Sequence, residues 1–307
     1  MLNSLIVDFR GELAALSAAL IWALASVVYI SLGKQLSPLV LNLSKSAIAV
    51  VLILLTLGLR GNFLPDTTPA AVGLLILSGV IGIGFGDTAF FEALNCLGAR
   101  RCLLMEALAP PLTALLALIF LGEQLTALSY LGIGLTVAGV SWVIVERVPD
   151  RVERLSDRGQ GNFRPLRGIG FGMIAALGQA GGSVMSRAAL AGTEISPLWS
   201  SLIRLMAGVA VLLVWAVIQQ RGKQGFRPLR SPRLLAILTL AAFFSTYLAI
   251  WLQQTAFKFT AAGIAQALSA TSPLFVIPVA MWMGDRVSPR AVLGVLITLG
   301  GVWLLFG

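Results

Sequence analysis

The chain has 307 residues, of which 58% are hydrophobic and 11% are charged, and its formal net charge is +9. This composition excludes a soluble domain, because a soluble core does not need so many apolar runs of membrane-spanning length. The sequence contains no histidine and two cysteines, so we expect no His-based catalysis, no metal site, no cofactor and no disulfide framework.

Ten apolar runs follow one another along the chain, and each is close to the roughly 20 residues that cross a bilayer. The predicted spans are residues 12–33, 37–59, 70–95, 101–121, 126–145, 167–191, 196–218, 233–256, 260–283 and 288–306. Because helices satisfy their backbone polar groups internally, we predict an all-α integral membrane protein with ten transmembrane helices.

The second five spans repeat the first five. With a constant shift of 162, the aligned pairs are Pro111 and Pro273, Gly122 and Gly284, Gly132 and Gly294, Thr136 and Thr298, and Gly139 and Gly301. We predict a first repeat over 1–145, a polar linker over 146–167 and a second repeat over 168–307. An odd number of spans per repeat inverts the second half, an arrangement typical of secondary transporters with a solute site near the midplane.

The basic residues concentrate in loops between spans, so juxtamembrane charge explains the positive balance better than nucleic-acid binding does. The positive-inside rule predicts that loops 146–167 and 220–233 are cytoplasmic and that both termini lie outside, in the plasma (inner) membrane. The expected partners are the lipid bilayer and a small-molecule substrate, with no nucleic acid. A functional monomer is plausible, because ten helices already contain both halves of a pathway.

Short motifs recur in order in both halves. The first half contains ALNCLGARR at 93–101, EALAPP at 106–111 and LGE at 121–123, and the second contains TAFKFTAA at 255–262, SP at 272–273 and MGD at 283–285. With these motifs, essentially the whole chain resembles the ten-helix EamA type of the drug/metabolite transporter superfamily. The resemblance implies a carrier of small metabolites, often an exporter of amino acids or related compounds. Many relatives keep both termini in the cytoplasm, whereas this charge distribution predicts the reverse.

Ionisable residues within predicted spans are usually functional or paired. Ser37-Pro38 and Ser196-Pro197 each precede a cation, Lys45 or Arg204, by eight residues from the serine. The carboxylates of the first half have no counterparts, since Asp87, Glu92 and Glu106 align with Ala249, Gln254 and Leu268. We predict that Lys45 and Arg204 bracket a central cavity with Asp87 or Glu92 as counter-ion, so that a zwitterionic amino acid would meet both signs of charge. The alternative, ion-paired scaffold residues, stays open.

Three further sets of residues are candidates. A proton-coupled carrier needs a carboxylate that can be protonated within the membrane, and Glu92 and Glu106 have that position. Aromatic residues that could contact the substrate are Trp22, Tyr247 and Trp251, although most membrane aromatics serve packing. Helix breakers predicted to act as hinges are Gly84, Gly86, Pro110, Pro111, Pro273 and Pro278.

Residues 84–87 read GFGD and match the GxGD signature of intramembrane aspartyl proteases. That chemistry needs a second aspartate after a tyrosine in a neighbouring helix, and the sequence has no Tyr-Asp pair. We therefore favour a transporter over an enzyme. A passive pore or a structural membrane protein stays open as an alternative, because residue types alone do not exclude it.

Overall fold

In the computed structural model of the chain, residues 8–33, 35–61, 67–97, 99–146, 165–218, 227–275 and 288–306 are described. These ranges contain helices and turns and no β-strand. The uninterrupted helices are α1 (Arg10–Gly33), α2 (Pro38–Arg60), α5 (Ala127–Glu146), α6 (Pro165–Leu190), α7 (Pro197–Ile218) and α10 (Pro289–Leu305). Helix α9 is described over Ala262–Ser269, with further helical residues at 272–275.

Three helices are interrupted. Helix α3 comprises Pro69–Ser78, a π-helical segment at Gly79–Gly86, and Asp87–Leu97. Helix α8 comprises Pro232–Ala242, a π-helical segment at Phe243–Leu248, and Ala249–Phe259, and follows a 3₁₀ turn at Arg227–Arg230. Helix α4 is divided into α4a (Ala99–Glu106) and α4b (Ala109–Leu121).

Among the described residues, seven helices are long and apolar enough to cross a membrane, and these are α2 to α8. Helix α1 has 24 residues, which extend about 36 Å at roughly 1.5 Å per residue. Helix α10 is apolar but shorter, with 17 residues. The predicted span 260–283 is described only as far as residue 275. The chain is therefore a helical, multi-pass membrane protein.

Proline directly after serine or threonine sets the start of several helices. Proline suits the first helical position because it has no backbone N–H and its φ is already helical. The hydroxyl before it can cap the helix: Thr68 accepts from the backbone N–H of Ala71 at 3.3 Å, and Ser288 accepts from Ala291 at 3.1 Å. These caps start α3 and α10 within one residue of the starts that the apolar runs predict.

Helices α5 and α10 form a close and reciprocal contact through small residues. The contacts join Gly132 to Gly301, Thr136 to Gly301, Gly139 to Thr298 and Gly139 to Gly294. The partner number falls as the number on α5 rises, so the two helices are antiparallel. If each residue of a contact is replaced by its aligned partner in the other half, another of these contacts results. For example, the contact of Gly132 with Gly301 becomes that of Gly294 with Gly139. A local twofold relation between two inverted segments produces this pattern.

Two other helix pairs between the halves are also antiparallel. Along α3 and α6, the contacts join Gly86 to Gly178, Gly82 to Gly182, and the hydroxyls of Ser78 and Ser186 at 2.9 Å. Along α1 and α8, Gly11 contacts Thr260, and the indole N–H of Trp22 donates to the carbonyl of Ser245 at 2.8 Å. The antiparallel arrangement of α5 and α10 therefore recurs in these two pairs of helices from opposite halves.

The largest apolar cluster lies at the end of the bundle where α1 begins and α10 ends, which we call the termini end. Phe9 and Phe306 are in contact there, with ring centroids 5.3 Å apart. The cluster joins the first turns of α1 and α3 to the last turns of α6, α8 and α10, and Phe257 and Leu268 are fully buried in it. The termini end is consequently closed by packed side chains.

Candidate solute-binding site

Lys45 and Asp87 form an ion pair between α2 and α3. The Lys45 Nζ lies 3.5 Å from Asp87 Oδ2, and the two side chains are 19% and 30% exposed. The ammonium also lies 5.9 Å from the ring centroid of Phe91. The structure thus brings together two of the residues that the sequence places in the site, and the charge of Lys45 is compensated within the first half.

Arg204 of α7 is buried in the same region, with 3% of its surface exposed. Its Nε and Nη1 are shielded from solvent and have no hydrogen-bond partner among the described residues. A buried polar group without a partner costs about 1–3 kcal/mol, and a charged group costs more. Arg204 is therefore the most poorly compensated cation in the described part of the chain.

The π-helical segment of α3 allows Arg204 to lie this close. Gly79 packs directly on the Arg204 backbone, and a side chain there would overlap it. A Cβ at Gly82 would lie 3.4 Å from Arg204 Nη2. A π-helical turn is rare and is often found at functional sites. This segment ends at Gly86, directly before Asp87, so the same local distortion positions the carboxylate and accommodates the guanidinium.

The second half reproduces the distortion without the carboxylate. The π-helical segment of α8 ends at Leu248, and Ala249, which aligns with Asp87, is the first residue of the helix that follows. Ala249 is fully buried. The sequence signal for this element was weak, because the segment of α3 is rich in glycine and that of α8 contains none. The paired π-helical segments are therefore a feature that the repeat alignment alone did not predict.

Glu106 and Glu92 lie near the ion pair but make no hydrogen bond or ion pair that involves another described side chain. Glu106 is the last residue of α4a, next to the break in α4, and Asp87 is close enough to interact with it electrostatically. Asp87 interacts in the same way with Arg204. Both glutamates are partly buried. Their suggested role in proton coupling stays a prediction.

The aromatic candidates lie within or beside the π-helical segment of α8. Trp22 donates to the Ser245 carbonyl, and the hydroxyl of Tyr247 lies 2.9 Å from that of Thr56 on α2. Tyr247 is 8% exposed, and its ring centroid is 6.2 Å from that of Trp251. These contacts give all three side chains a packing role, and contact with a substrate stays a prediction.

The predicted hinges differ in their surroundings. Gly84 packs against Val211 and Gly86 packs against Gly178, so close helix contact is their immediate role. In α4 the helix is broken at residues 107–108, and Pro110 and Pro111 lie in the first turn of α4b instead of kinking a continuous helix. Pro273 follows a corresponding turn at residues 270–271. Pro278 lies outside the described residues.

A second polar network joins the halves at the termini end. Arg187 Nε donates to Glu123 Oε1 at 2.6 Å, and Nη1 donates to the carbonyls of Phe257 and Lys258 at 3.0 and 2.9 Å. Glu123 Oε2 accepts the backbone N–H of Ala262 at 3.0 Å. Arg187 lies close to the end of α6, and Glu123 and two carbonyls at the end of α8 hold its guanidinium inside the bundle.

An open apolar groove of about 590 Å³ lies elsewhere, on the outer surface between α2 and α8. It is lined by Leu52, Pro232, Leu235, Ala236, Thr239, Leu240 and Phe243. No charged side chain contributes to its lining. Apolar outward surface of this kind suits contact with lipid, so the charged cluster is the better candidate for binding a solute.

Comparisons with known proteins agree with this architecture. The model of the EamA-like transporter family matches residues 9–145 and 166–307. A solved crystal structure, described only as that of a protein, is 16% identical and has a TM-score of 0.76, and the match covers 97% of this chain and 97% of that chain. That likeness shows the fold alone. A search of curated proteins found no match. Two matches to a transporter family, one in each half, show that the chain belongs to the EamA-like transporter family.

Proposed function

We propose that the protein is a secondary carrier of small metabolites that works by alternating access of two inverted five-helix repeats, within 1–145 and 168–307. The antiparallel, reciprocal contact of α5 with α10 supports this arrangement. The antiparallel pairs α3 with α6 and α1 with α8 fit ten spans that alternate in direction across the membrane.

The observation that carries the proposal is the coincidence of charge with interrupted helices. Lys45, Asp87 and Arg204 lie beside the π-helical segment of α3. Glu106 lies at the break in α4, and corresponding interruptions occur in α8 and α9. Secondary transporters use discontinuous helices at the midplane to bind solutes and to bend between states. A structural membrane protein has no comparable need for buried, incompletely paired charge in such a place.

The described conformation suggests how access alternates. The termini end is closed by the large apolar cluster and by the network of Arg187 and Glu123. The side chain of Asp87 is 30% exposed. Lys45 lies about two turns after the start of α2, which is at the end of the bundle opposite the termini end. Solute would therefore reach the charges from the end opposite the termini, and release at the termini end would require the network to break.

The family, charge and composition suggest the biological setting. We propose export of amino acids or related compounds across the plasma (inner) membrane. The basic loops 146–167 and 220–233 would lie in the cytoplasm and both termini outside. In this orientation the charged cluster would receive solute from the cytoplasm, as an exporter requires. One chain contains both repeats, so a monomer in the lipid bilayer would suffice.

Proton coupling would use Glu92 or Glu106. A carboxylate can couple proton and solute movement only if it is protonated in part of the cycle and can approach the solute site. Glu106 meets the second condition through its electrostatic interaction with Asp87. Glu92 lies on the same helical segment as Asp87, between one and two turns further on.

The test is efflux from proteoliposomes loaded with labelled amino acids, screened by class, with and without a pH gradient. The carrier account expects saturable efflux of one class, and a gradient effect that Glu106→Gln or Glu92→Gln removes. Efflux of all solutes in proportion to concentration would indicate a pore and contradict the proposal. Saturable efflux that does not depend on the pH gradient would still support a carrier, but it would rule out the coupling role of both glutamates.

A further inference from the structure

The two halves of the site differ in how they compensate their cations. In the first half, Lys45 pairs with Asp87 at the start of the helix that follows the π-helical segment. In the second half, Arg204 corresponds to Lys45, and the position of Asp87 is taken by Ala249. The carboxylate that neutralises the cation of the first half is therefore replaced by a methyl group in the second half.

The surroundings of Arg204 do not supply this missing charge. On α3, glycines 79 and 82 lie against it, and neither offers a side-chain acceptor. Asp87 is the carboxylate that interacts with it electrostatically, and that carboxylate is already bonded to Lys45. Glu106 approaches Asp87 and makes no ion pair with Arg204 in the described chain. Two of the three guanidinium nitrogens stay without a protein acceptor.

A guanidinium in this state is suited to an anionic ligand. Its N–H groups form a rigid fork that matches the oxygens of a carboxylate or a phosphate, and it stays charged even when buried. Charge-assisted bonds of this kind are about twice as strong as neutral ones. A ligand anion would recover the desolvation cost that Arg204 bears at 3% exposure.

We propose that Arg204 binds the anionic group of the transported solute and that Ala249 keeps Arg204 available by withholding an internal counter-ion. This inference rests on the proposed carrier function and adds the class of substrate, which is a solute with a carboxylate or phosphate group. Lys45 and Asp87, already paired, contribute to the site as a neutral unit that can meet a second polar group of the solute.

The test uses the full-length protein in detergent and measures thermal stabilisation by four probes. The probes are L-leucine, 4-methylpentanoate, leucinamide and inorganic phosphate, which separate carboxylate, ammonium and phosphate recognition. A ligand that binds the folded state selectively raises the melting temperature, and the stabilisation grows with the logarithm of its concentration relative to its Kd. We expect stabilisation by at least one anionic probe and none by leucinamide.

The decisive variants are Ala249→Asp and its uncharged match Ala249→Asn. By the symmetry with Asp87, an aspartate at 249 would pair with Arg204 and displace the ligand anion. We expect Ala249→Asp to weaken anion binding at least about tenfold and Ala249→Asn to change it far less. If Ala249→Asp does not fold, Arg204→Lys serves instead, since it keeps the charge, loses the fork and should also weaken binding.

The inference would be overturned if leucinamide alone stabilised the protein or if no anionic probe did. Equal anion affinity in Ala249→Asp and Ala249→Asn would also overturn it. The result is separable from the carrier proposal. Anion binding that depends on Arg204 without any transport in proteoliposomes would leave this inference standing and remove the carrier. Saturable transport of neutral or cationic solutes that Ala249→Asp leaves unchanged would do the opposite.

Discussion

The network at the termini end gives a prediction that the structure makes quantitative. Glu123→Gln removes the charge from a carboxylate that bonds Arg187 at 2.6 Å and accepts the Ala262 N–H at 3.0 Å. The side chains of Arg187 and Glu123 are 18% and 17% exposed, so the pair is shielded but not fully buried. Breaking a buried pair costs about 3–5 kcal/mol. Arg187 keeps two carbonyl acceptors and glutamine keeps one oxygen, so we expect about 1–3 kcal/mol.

This loss should favour opening of the termini end, because the network joins α4 and α6 to the turn between α8 and α9 only while that end is closed. A loss of about 1–3 kcal/mol corresponds to a roughly 5–150-fold change in the closed-to-open ratio. Thr260, which is 4% exposed and lies against Gly11, reports on that opening. In a chain with Cys96 and Cys102 replaced by serine, a Thr260→Cys reporter should react several-fold faster with a membrane-impermeant maleimide when Glu123→Gln is present.

The matched control is Glu194→Gln, which removes the same charge from an exposed position in the loop between α6 and α7. It should leave the labelling rate of the Thr260→Cys reporter unchanged. Equal labelling rates in Glu123→Gln and Glu194→Gln, with equal melting temperatures, would refute the idea that this network holds the termini end closed.

Two further predictions concern the charged cluster and the glycines beside it. Asp87→Asn leaves Lys45 without its counter-ion and should destabilise the protein by about 1–3 kcal/mol in thermal unfolding. Adding Lys45→Met should recover most of this loss, and no recovery would mean that the pair is not coupled. Gly79→Ala places a methyl group against the Arg204 backbone and should lower the stability by about 1–3 kcal/mol. Gly73→Ala, with open space around it, should be neutral or slightly stabilising. Similar melting temperatures for the two variants would contradict the packing described for the π-helical segment.

Much of the fold could be predicted from the sequence because membrane-spanning helices need long apolar runs. The starts and ends of α2, α5, α6 and α7 fall within two residues of the predicted spans. The small-residue pairs that align at a shift of 162 meet across the α5 and α10 contact. Membrane helices pack closely through small residues, so a repeated glycine pattern contains real information about contacts.

The site was less predictable, since helix periodicity does not reveal where a helix widens or breaks. The π-helical segments of α3 and α8 depend on tertiary contacts, such as Gly79 against Arg204 and Trp22 to the Ser245 carbonyl. The sequence offered Asp87 or Glu92 as the counter-ion, and the structure joins Lys45 to Asp87 at 3.5 Å. The partner of Arg187 could not be predicted, because Glu123 and Arg187 are 64 residues apart and on different helices.

The most direct test of the carrier account is counterflow exchange in proteoliposomes. Vesicles that contain the purified protein and a high internal concentration of the unlabelled solute identified by the efflux screen are diluted into the labelled form. A carrier whose site opens to one side at a time reorients faster with solute bound than empty. The account therefore predicts saturable uptake of the labelled solute that is stimulated by internal unlabelled solute. Uptake that rises linearly with concentration and ignores the internal solute would contradict alternating access and indicate a continuous pore.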